Sequence, residues 1–281
     1  MKKHTIWFCV ILFFSGLGIL LYPFVSNLVA EHNATRVVET YEDETMQMDQ
    51  QEIDVAKENI KKYNEQLNNV VTIDEETDKN GSLSYLDMVN VGQTLGYIVI
   101  PKIDVNLPIY SGISEDVLKK GVGHLEQSSY PLGGESTHSV LTGHRGLPSA
   151  TLFTDLDKLE IGDEFYLHVL DEILAYKVDQ IKVVEPEDSG ELEIVEGEDY
   201  CTLVTCTPYA INTHRLLVRG TRTEYNPEQE MSTQSQMQSG SLTKRIVDVW
   251  PWLLLAIIVV FVVEFVVFYM MMKRKRRDRE E

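Results

Sequence analysis

The chain has 281 residues, 43% apolar and 25% charged, and its 44 Asp+Glu outweigh 25 Lys+Arg for a net charge of −19. That composition excludes a wholly disordered chain and a polytopic membrane protein, and the length predicts one or two domains. The acidity argues against nucleic acid as a partner, because phosphate binding needs a basic face, and three cysteines (Cys9, Cys201 and Cys206) are too few for a disulfide scaffold.

Residues 1–26 open with Met1-Lys2-Lys3 and continue without a charge from Thr5 to Val25, enough apolar chain to span a bilayer. The segment reads as a membrane anchor or a signal segment. Leu28-Val29-Ala30 puts a bulky leucine where a cleavage site wants a small residue, which favours an uncleaved anchor. Residues 27–90 read as a helical region followed by a loop. Ile53, Ala56, Ile60, Tyr63 and Leu67 recur at three- and four-residue steps, predicting an amphipathic helix packed on the domain behind it. The stretch 70–90 is acidic and turn-rich.

The core is expected over 91–224. Short β-rich runs lie at Tyr97–Ile100, Ser139–Thr142, Phe165–Leu170, Ile173–Val184, Thr202–Thr205 and Leu216–Val218, separated by Pro101, Gly112, Gly133-Gly134 and Gly162-Asp163. Asp171-Glu172 divides two alternating runs and predicts a hairpin, without the glycine that two-residue turns prefer. Short helices are expected at Ser114–Lys119, capped by Ser114, and at Ser149–Leu156. Many short strands at near-regular spacing predict a closed β-barrel or a sandwich.

Residues 225–249 are Gln/Ser-rich and read as a flexible tether. Residues 250–272 form a second apolar span, opened by Trp250 and Trp252 and followed by the basic tail 273–281. Glu264, inside that span, reads as a protonated or helix-packing residue. Both basic flanks belong in the cytoplasm, so the middle of the chain is expected outside the cell membrane. Setting aside Lys2, Lys3 and the six basic residues after Met272 leaves 17 Lys+Arg; setting aside Glu264, Asp278, Glu280 and Glu281 leaves 40 Asp+Glu, so the exposed part carries about −23. Such a domain is repelled by anionic headgroups and should stand off the bilayer.

Cys201 and Cys206 flank one extended run, CTLVTC. Five residues of strand span roughly 16 Å, and the odd separation puts the two side chains on opposite faces, so the pair should not form a disulfide. One is a small apolar filler. Cys206 ends the strand before Thr207-Pro208, where a nucleophile facing a cleft would sit. A thiol nucleophile needs a base or cation beside it. Of seven histidines, His4 and His32 lie at or near the membrane, and His124, His138, His168 and His214 sit in ordinary mixed contexts. His144 differs: glycines bracket it in Leu141-Thr142-Gly143-His144-Arg145-Gly146, where an apolar run ends. Acyl transfer also needs a donor for the developing oxyanion. Arg215 opens the next strand nine residues after Cys206, and an antiparallel pair would bring the two together. A metal site built from Cys201, Cys206, His144 and His214 matches no usual zinc spacing.

The His144 segment, Thr202-Leu203-Val204-Thr205-Cys206-Thr207-Pro208-Tyr209, and Asn212-Thr213-His214-Arg215-Leu216-Leu217-Val218-Arg219-Gly220 together resemble the His and TLxTC…R signatures of sortases. The resemblance is strongest to class C sortases, the pilin polymerases of Gram-positive bacteria, and extends to Gly96–Ile103, Gly133–His138 and Leu152–Leu159 and to the anchor-at-each-end layout. It implies an eight-stranded sortase-type β-barrel with short helices, an N-terminal amphipathic helix and two flanking transmembrane helices. It implies a cysteine transpeptidase that uses no cofactor and no metal. In this reading Cys206 attacks an LPxTG-like sorting signal and forms a thioacyl enzyme. His144 protonates the leaving amine and deprotonates the incoming one, and Arg215 holds the substrate and the oxyanion. Thr205 orients Arg215 or the substrate backbone. The partners are pilin subunits carrying such signals and acceptor lysines. Class C enzymes usually carry a lid with an Asp-Pro-aromatic motif. Here 70–90 contains no proline, and Asp74 has no aromatic beside it, so the lid is expected to be degenerate or absent. Three alternatives are a sortase that anchors proteins to cell-wall precursor, a surface protein that is itself a sortase substrate, and a catalytically idle scaffold. No LPxTG-like motif precedes Trp250, which argues against the second, and retention of Cys, His and Arg at motif positions argues against the third.

Overall fold

A computed structural model describes residues 3–67 and 94–231, with Leu255 and Val259. The expected lid-like loop, most of the tether, the second span beyond those two residues and the basic tail lie outside the described residues.

Among the described residues eight strands close into one barrel: β1 (Thr94–Ile100), β2 (Val105–Ser111), β3 (Val122–His124), β4 (Thr137–Thr142), β5 (Glu164–Val169), β6 (Glu172–Val184), β7 (Asp199–Thr207) and β8 (His214–Thr223), in the spatial order β1-β2-β3-β4-β7-β8-β6-β5. Closure leaves no free sheet edge. Most neighbours run antiparallel, but β2–β3 and β4–β7 are parallel. The inside is filled by alternate residues of the strands, among them Ile98, Ile109, Leu141, Phe165, Leu167, Tyr176, Cys201, Leu203 and Val218. A second apolar cluster, Ile113, Leu118, Leu125, Val140, Leu192, Val204 and Leu217, takes the opposite parity on β4, β7 and β8 and so lies on the other side of that wall.

Two strands, β2 and β3, are not evident in the hydrophobic pattern. Pro108 interrupts β2, and its missing N–H is tolerated because β3 pairs with β2 only from Ile109 onward; β3 is three residues long. The β5–β6 hairpin forms, but its turn is Leu170-Asp171 rather than Asp171-Glu172, with Leu170 at φ 54 taking the left-handed position usually given to glycine. The short helix α3 (Glu115–Leu118) follows Ser114, whose side chain makes no capping hydrogen bond. The helix expected at Ser149–Leu156 is instead a run of turns ending in a 3₁₀ turn at Leu156–Lys158. The backbone there is committed elsewhere: Leu152 sits at φ 42 and the Phe153 N–H donates to the His144 carbonyl at 3.1 Å.

The N-terminal region forms helix α1 (Lys3–Gln47), continuous where the sequence predicts an anchor and a separate polar segment, and α2 (Gln50–Gln66). Residues 26–235 make one compact unit, and residues 1–25 lie outside it. Within 11–47 the chain has a helix long and apolar enough to cross a membrane by length and composition. Its Ile11, Leu12, Phe14 and Ile19 are all exposed. Farther along α1, Ala34, Val38 and Tyr41 recur at helical spacing and are buried, and α2 buries Ile53, Ala56 and Ile60, as its stripe predicts. Asp49 caps α2 through a reciprocal box: the Glu52 N–H donates to its carboxylate at 2.9 Å, and the Asp49 N–H donates to Glu52 at 3.2 Å. Tyr41 fastens α1 to the barrel by donating to the Leu95 carbonyl at 3.2 Å and accepting from the Leu170 N–H at 2.7 Å.

Candidate active site

The site lies where β4, β7 and β8 end at the same rim. β4 and β7 run parallel with Thr142 opposite Val204, so His144, two residues past the end of β4, comes alongside Cys206, the next-to-last residue of β7. The join continues beyond β4: the Gly143 N–H donates to the Val204 carbonyl at 3.0 Å, and the Thr205 hydroxyl donates to the Gly143 carbonyl at 2.7 Å. On the other side β7 and β8 are antiparallel with Cys206 directly opposite Arg215. Directly opposed residues share a face with Cβ atoms about 4.5–5.5 Å apart. The thiol and the guanidinium therefore project from one surface, on the same parity as Val204 and Leu217.

Both glycines flanking His144-Arg145 have a steric reason. A Cβ on Gly143 would sit 2.6 Å from the Phe153 ring, and Gly146 adopts φ +76 with the Tyr209 ring against it. The imidazole is thus carried on a backbone pinned at Gly143 by Thr205 and at its own carbonyl by Phe153.

The two cysteines are both free thiols, and their environments are opposite. Cys201 is 0% exposed inside the barrel. Burial first, and the Asp199 carboxylate second, push its thiol well above the ordinary range. A thiol held protonated in an apolar interior is inert. Cys206 is half-buried and open to the rim.

His144 is half-buried, and its Nε2 lies 3.5 Å from Glu115 Oε2. Arg215 Nη1 donates to the carbonyls of Asn212 at 3.4 Å and His214 at 3.3 Å, folding the guanidinium over the β7–β8 loop. Thr205 departs from the expectation of a residue turned to substrate or Arg215. It is 1% exposed and its hydroxyl is committed to Gly143, so it faces the barrel interior and acts on the backbone that carries His144. The remaining histidines of the barrel have other partners. His124 contacts the Ser129 carbonyl at 2.9 Å, and His138 bridges the Glu193 carbonyl at 2.8 Å and the Thr202 hydroxyl at 2.7 Å. Burial lowers both to about 4, so each is neutral at pH 7. His168 stacks on Tyr97 at 4.3 Å between ring centroids, and His214 lies 3.2 Å from Glu185.

Two further residues border the site, and the sequence alone assigns neither a role. Arg145, with a side chain 9% exposed, donates to the Thr207 hydroxyl at 3.1 Å, pairs with Asp157 and lies 6.0 Å from the Tyr209 ring centroid. It ties the loop after β4 to the end of β7 and to the 3₁₀ turn at Leu156–Lys158. Its place next to His144 in the motif was the available signal. Glu115 had none, being one of many acidic residues on an acidic chain.

Residues 98–223 match the sortase domain family. The structure is similar to sortase C-1 from Streptococcus pneumoniae at 49% identity and a TM-score of 0.64, covering 67% of this chain and 98% of that one. It is also similar to the pilus-related sortase C of group B Streptococcus at 46% identity and a TM-score of 0.63, covering 67% and 97%. Among curated proteins, sortase D of Bacillus subtilis is 35% identical over 119 residues, 42% of this chain and 57% of that protein. Sortase A of Streptococcus agalactiae is 31% identical over 128 residues, 44% and 51% respectively. The chain therefore spans little more than half the length of these curated relatives. The chain belongs to the sortase family. Its structural neighbours are class C enzymes.

Proposed function

We propose that this chain is a membrane-anchored cysteine transpeptidase of pilus assembly. It cleaves an LPxTG-like sorting signal and joins it to a lysine amine of a pilin subunit. The observation that carries the reading is the pairing of Cys206 opposite Arg215 across β7–β8, with the end of β4 delivering His144 alongside. In the first half-reaction the Cys206 thiolate attacks the threonine carbonyl carbon of the signal. Arg215, once turned from its loop carbonyls, donates to the oxyanion. The His144 imidazolium protonates the glycine nitrogen, the C–N bond breaks, and a thioester remains. In the second, neutral His144 takes a proton from the incoming ammonium, the amine attacks the thioester carbon, and Cys206 leaves as thiolate.

In the same reading residues 91–224 are the catalytic domain outside the cell, 27–90 its helical and lid-like approach and 225–249 its tether. Spans 1–26 and 250–272 hold it to the membrane with both termini in the cytoplasm. The alternative acceptor, the amine of a cell-wall precursor, shares the thioacyl step and differs only in the nucleophile.

The test is mass spectrometry of the full chain in detergent after mixing with a panel of sorting peptides. The expected product is an adduct on Cys206 whose mass is that of the peptide truncated after threonine. No adduct with any peptide, or an adduct on Cys201, would overturn the reading. Resolution by lysine peptides rather than wall-precursor amines distinguishes the two acceptors.

A further inference from the structure

One carboxylate touches the base and has no part in forming the thioester. Glu115 opens α3, and its Oε2 lies 3.5 Å from His144 Nε2 and 3.4 Å from Lys119 Nζ. That His144 nitrogen is a buried atom with no hydrogen-bond partner among the described residues. A lysine ammonium is therefore already seated on the same oxygen that faces the ring. The seat is loose: the Lys119 and Glu115 side chains are 53% and 58% exposed, and an ion pair so exposed is weak and exchangeable.

The second half-reaction needs a component that the first does not. A lysine arrives from solvent almost wholly protonated, since its ordinary pKa is about 10.4. It must surrender a proton to the base before its nitrogen can attack. An ammonium held by a carboxylate that borders the base is placed for that transfer.

We propose that Glu115 is the docking carboxylate for the primary ammonium of the acceptor, with Lys119 as its resting occupant, displaced when the acceptor binds. The proposal rests on the transpeptidase reading above and supplies its acceptor subsite. The docked R–NH₃⁺ gives one proton to neutral His144. The amine nitrogen bonds to the thioester carbon, and the C–S bond breaks with its electron pair on Cys206. The second N–H proton passes to water, leaving an amide, a thiolate and an imidazolium. The recognised group is a compact cation on a flexible stem. The parity of β4 and β7 puts His144 and Cys206 on the side of the wall that α3 covers through Leu118, so the acceptor approaches from the α3 side of the rim.

The experiment uses the full chain in detergent, in two stages. The first measures thioacyl formation with a sorting peptide and no added amine. The second measures release of the thioacyl enzyme against a concentration series of a lysine-containing peptide, at low and high salt. Glu115→Gln should raise the KM for that peptide about three- to fivefold, the size expected of an exposed pair, with a smaller effect on the rate at saturating peptide. The salt dependence of KM should shrink with it. Lys119→Met should move KM the other way, by about twofold. With hydroxylamine, a neutral nucleophile, the two variants should not diverge. Opposite signs in the two variants are what a merely structural role would not produce. An unchanged KM in both, shifts in the same direction, or equal shifts with hydroxylamine would overturn the docking role. A wild-type chain that forms no thioacyl adduct in the first stage overturns the transpeptidase reading, and the docking role with it.

Discussion

The two ends of β7 carry the same chemical group to opposite fates. At the start of the strand Asp199 and Thr202 have side-chain partners. Asp199 accepts from the Gly134 N–H at 2.8 Å and from the Tyr176 hydroxyl at 2.9 Å, Thr202 meets His138, and Cys201 packs among core residues. Five residues later Cys206 stands half-open on the other face, opposite an arginine and beside the loop that carries a histidine. One strand with a period of two thus holds an inert buried thiol and the half-open thiol proposed as the nucleophile. The difference lies in parity and position along the strand, not in residue type.

The sharpest way to break this comparison is to remove each thiol. Cys206→Ala should abolish adduct formation. Cys201→Ala should retain it and lose about 1 kcal/mol of stability, one buried sulfur being worth about one methylene. Adduct mass spectra and denaturant melts measure the two. If the Cys201 variant folds but is dead while the Cys206 variant reacts, the assignment is inverted.

Next in size is the cross-strand partner of the open end. Arg215→Lys should slow acylation roughly 10²-fold, since one oxyanion donor is worth about 3 kcal/mol and an ammonium cannot reproduce the planar fork. Turnover near the wild-type level in single-turnover assays would make Arg215 a loop-holding residue.

The packed end should register acid. His138 is held at about 4, below its ordinary 6.5, because burial disfavours its charged form. The unfolded chain then binds the extra proton between about pH 6.5 and 4, so stability falls as pH drops through that window, by up to about 3 kcal/mol from this residue. Denaturant midpoints measured from pH 7 to 4 should fall accordingly. His138→Gln should flatten part of the slope, and an unchanged slope would count against the buried neutral histidine.

The smallest effect belongs to the brace between the two catalytic loops. Arg145→Lys keeps the charge but not the reach to both Asp157 and Thr207, and should cost about tenfold in acylation rate, the value of one or two hydrogen bonds to a charged group. The loss should fall on the rate at saturating peptide more than on KM. A variant with wild-type kinetics would reduce Arg145 to a packing residue without influence on the site.

Much of the site was legible in sequence because it is written in short local runs. A strand that stops at Cys206-Thr207-Pro208, a strand that stops at a histidine bracketed by glycines, and an arginine opening the next strand are all visible without a fold. The register that sets Cys206 opposite Arg215 followed from a short antiparallel connection. What stayed hidden depends on contacts distant in the chain. Thr205 looks like a residue beside a nucleophile; only the parallel pairing with β4 reveals that it turns inward to Gly143. Pro108 hides β2, and a three-residue strand such as β3 is too short to show a period. The turn run at 149–156 has helix-compatible residues and lacks a helix because Phe153 is drawn to His144 and packs against Gly143. The continuity of α1 from the apolar segment into the helical region after it stayed hidden, because the stripe of Ala34, Val38 and Tyr41 shows only once it is packed.

The parallel alignment of β4 with β7 has a consequence for how the molecule is made. Gly143 and Thr205, whose bond joins the two loops, are 62 residues apart, and the β5–β6 hairpin lies between them. The base cannot meet the thiol until that whole crossover is laid down, and pairings so distant in sequence form late, on a scale of about milliseconds to seconds. An emerging or half-folded chain therefore carries its cysteine without the histidine beside it. If Cys206 and His144 act as proposed, reactivity switches on only when the barrel closes, and the completed fold is its own safeguard against premature acylation.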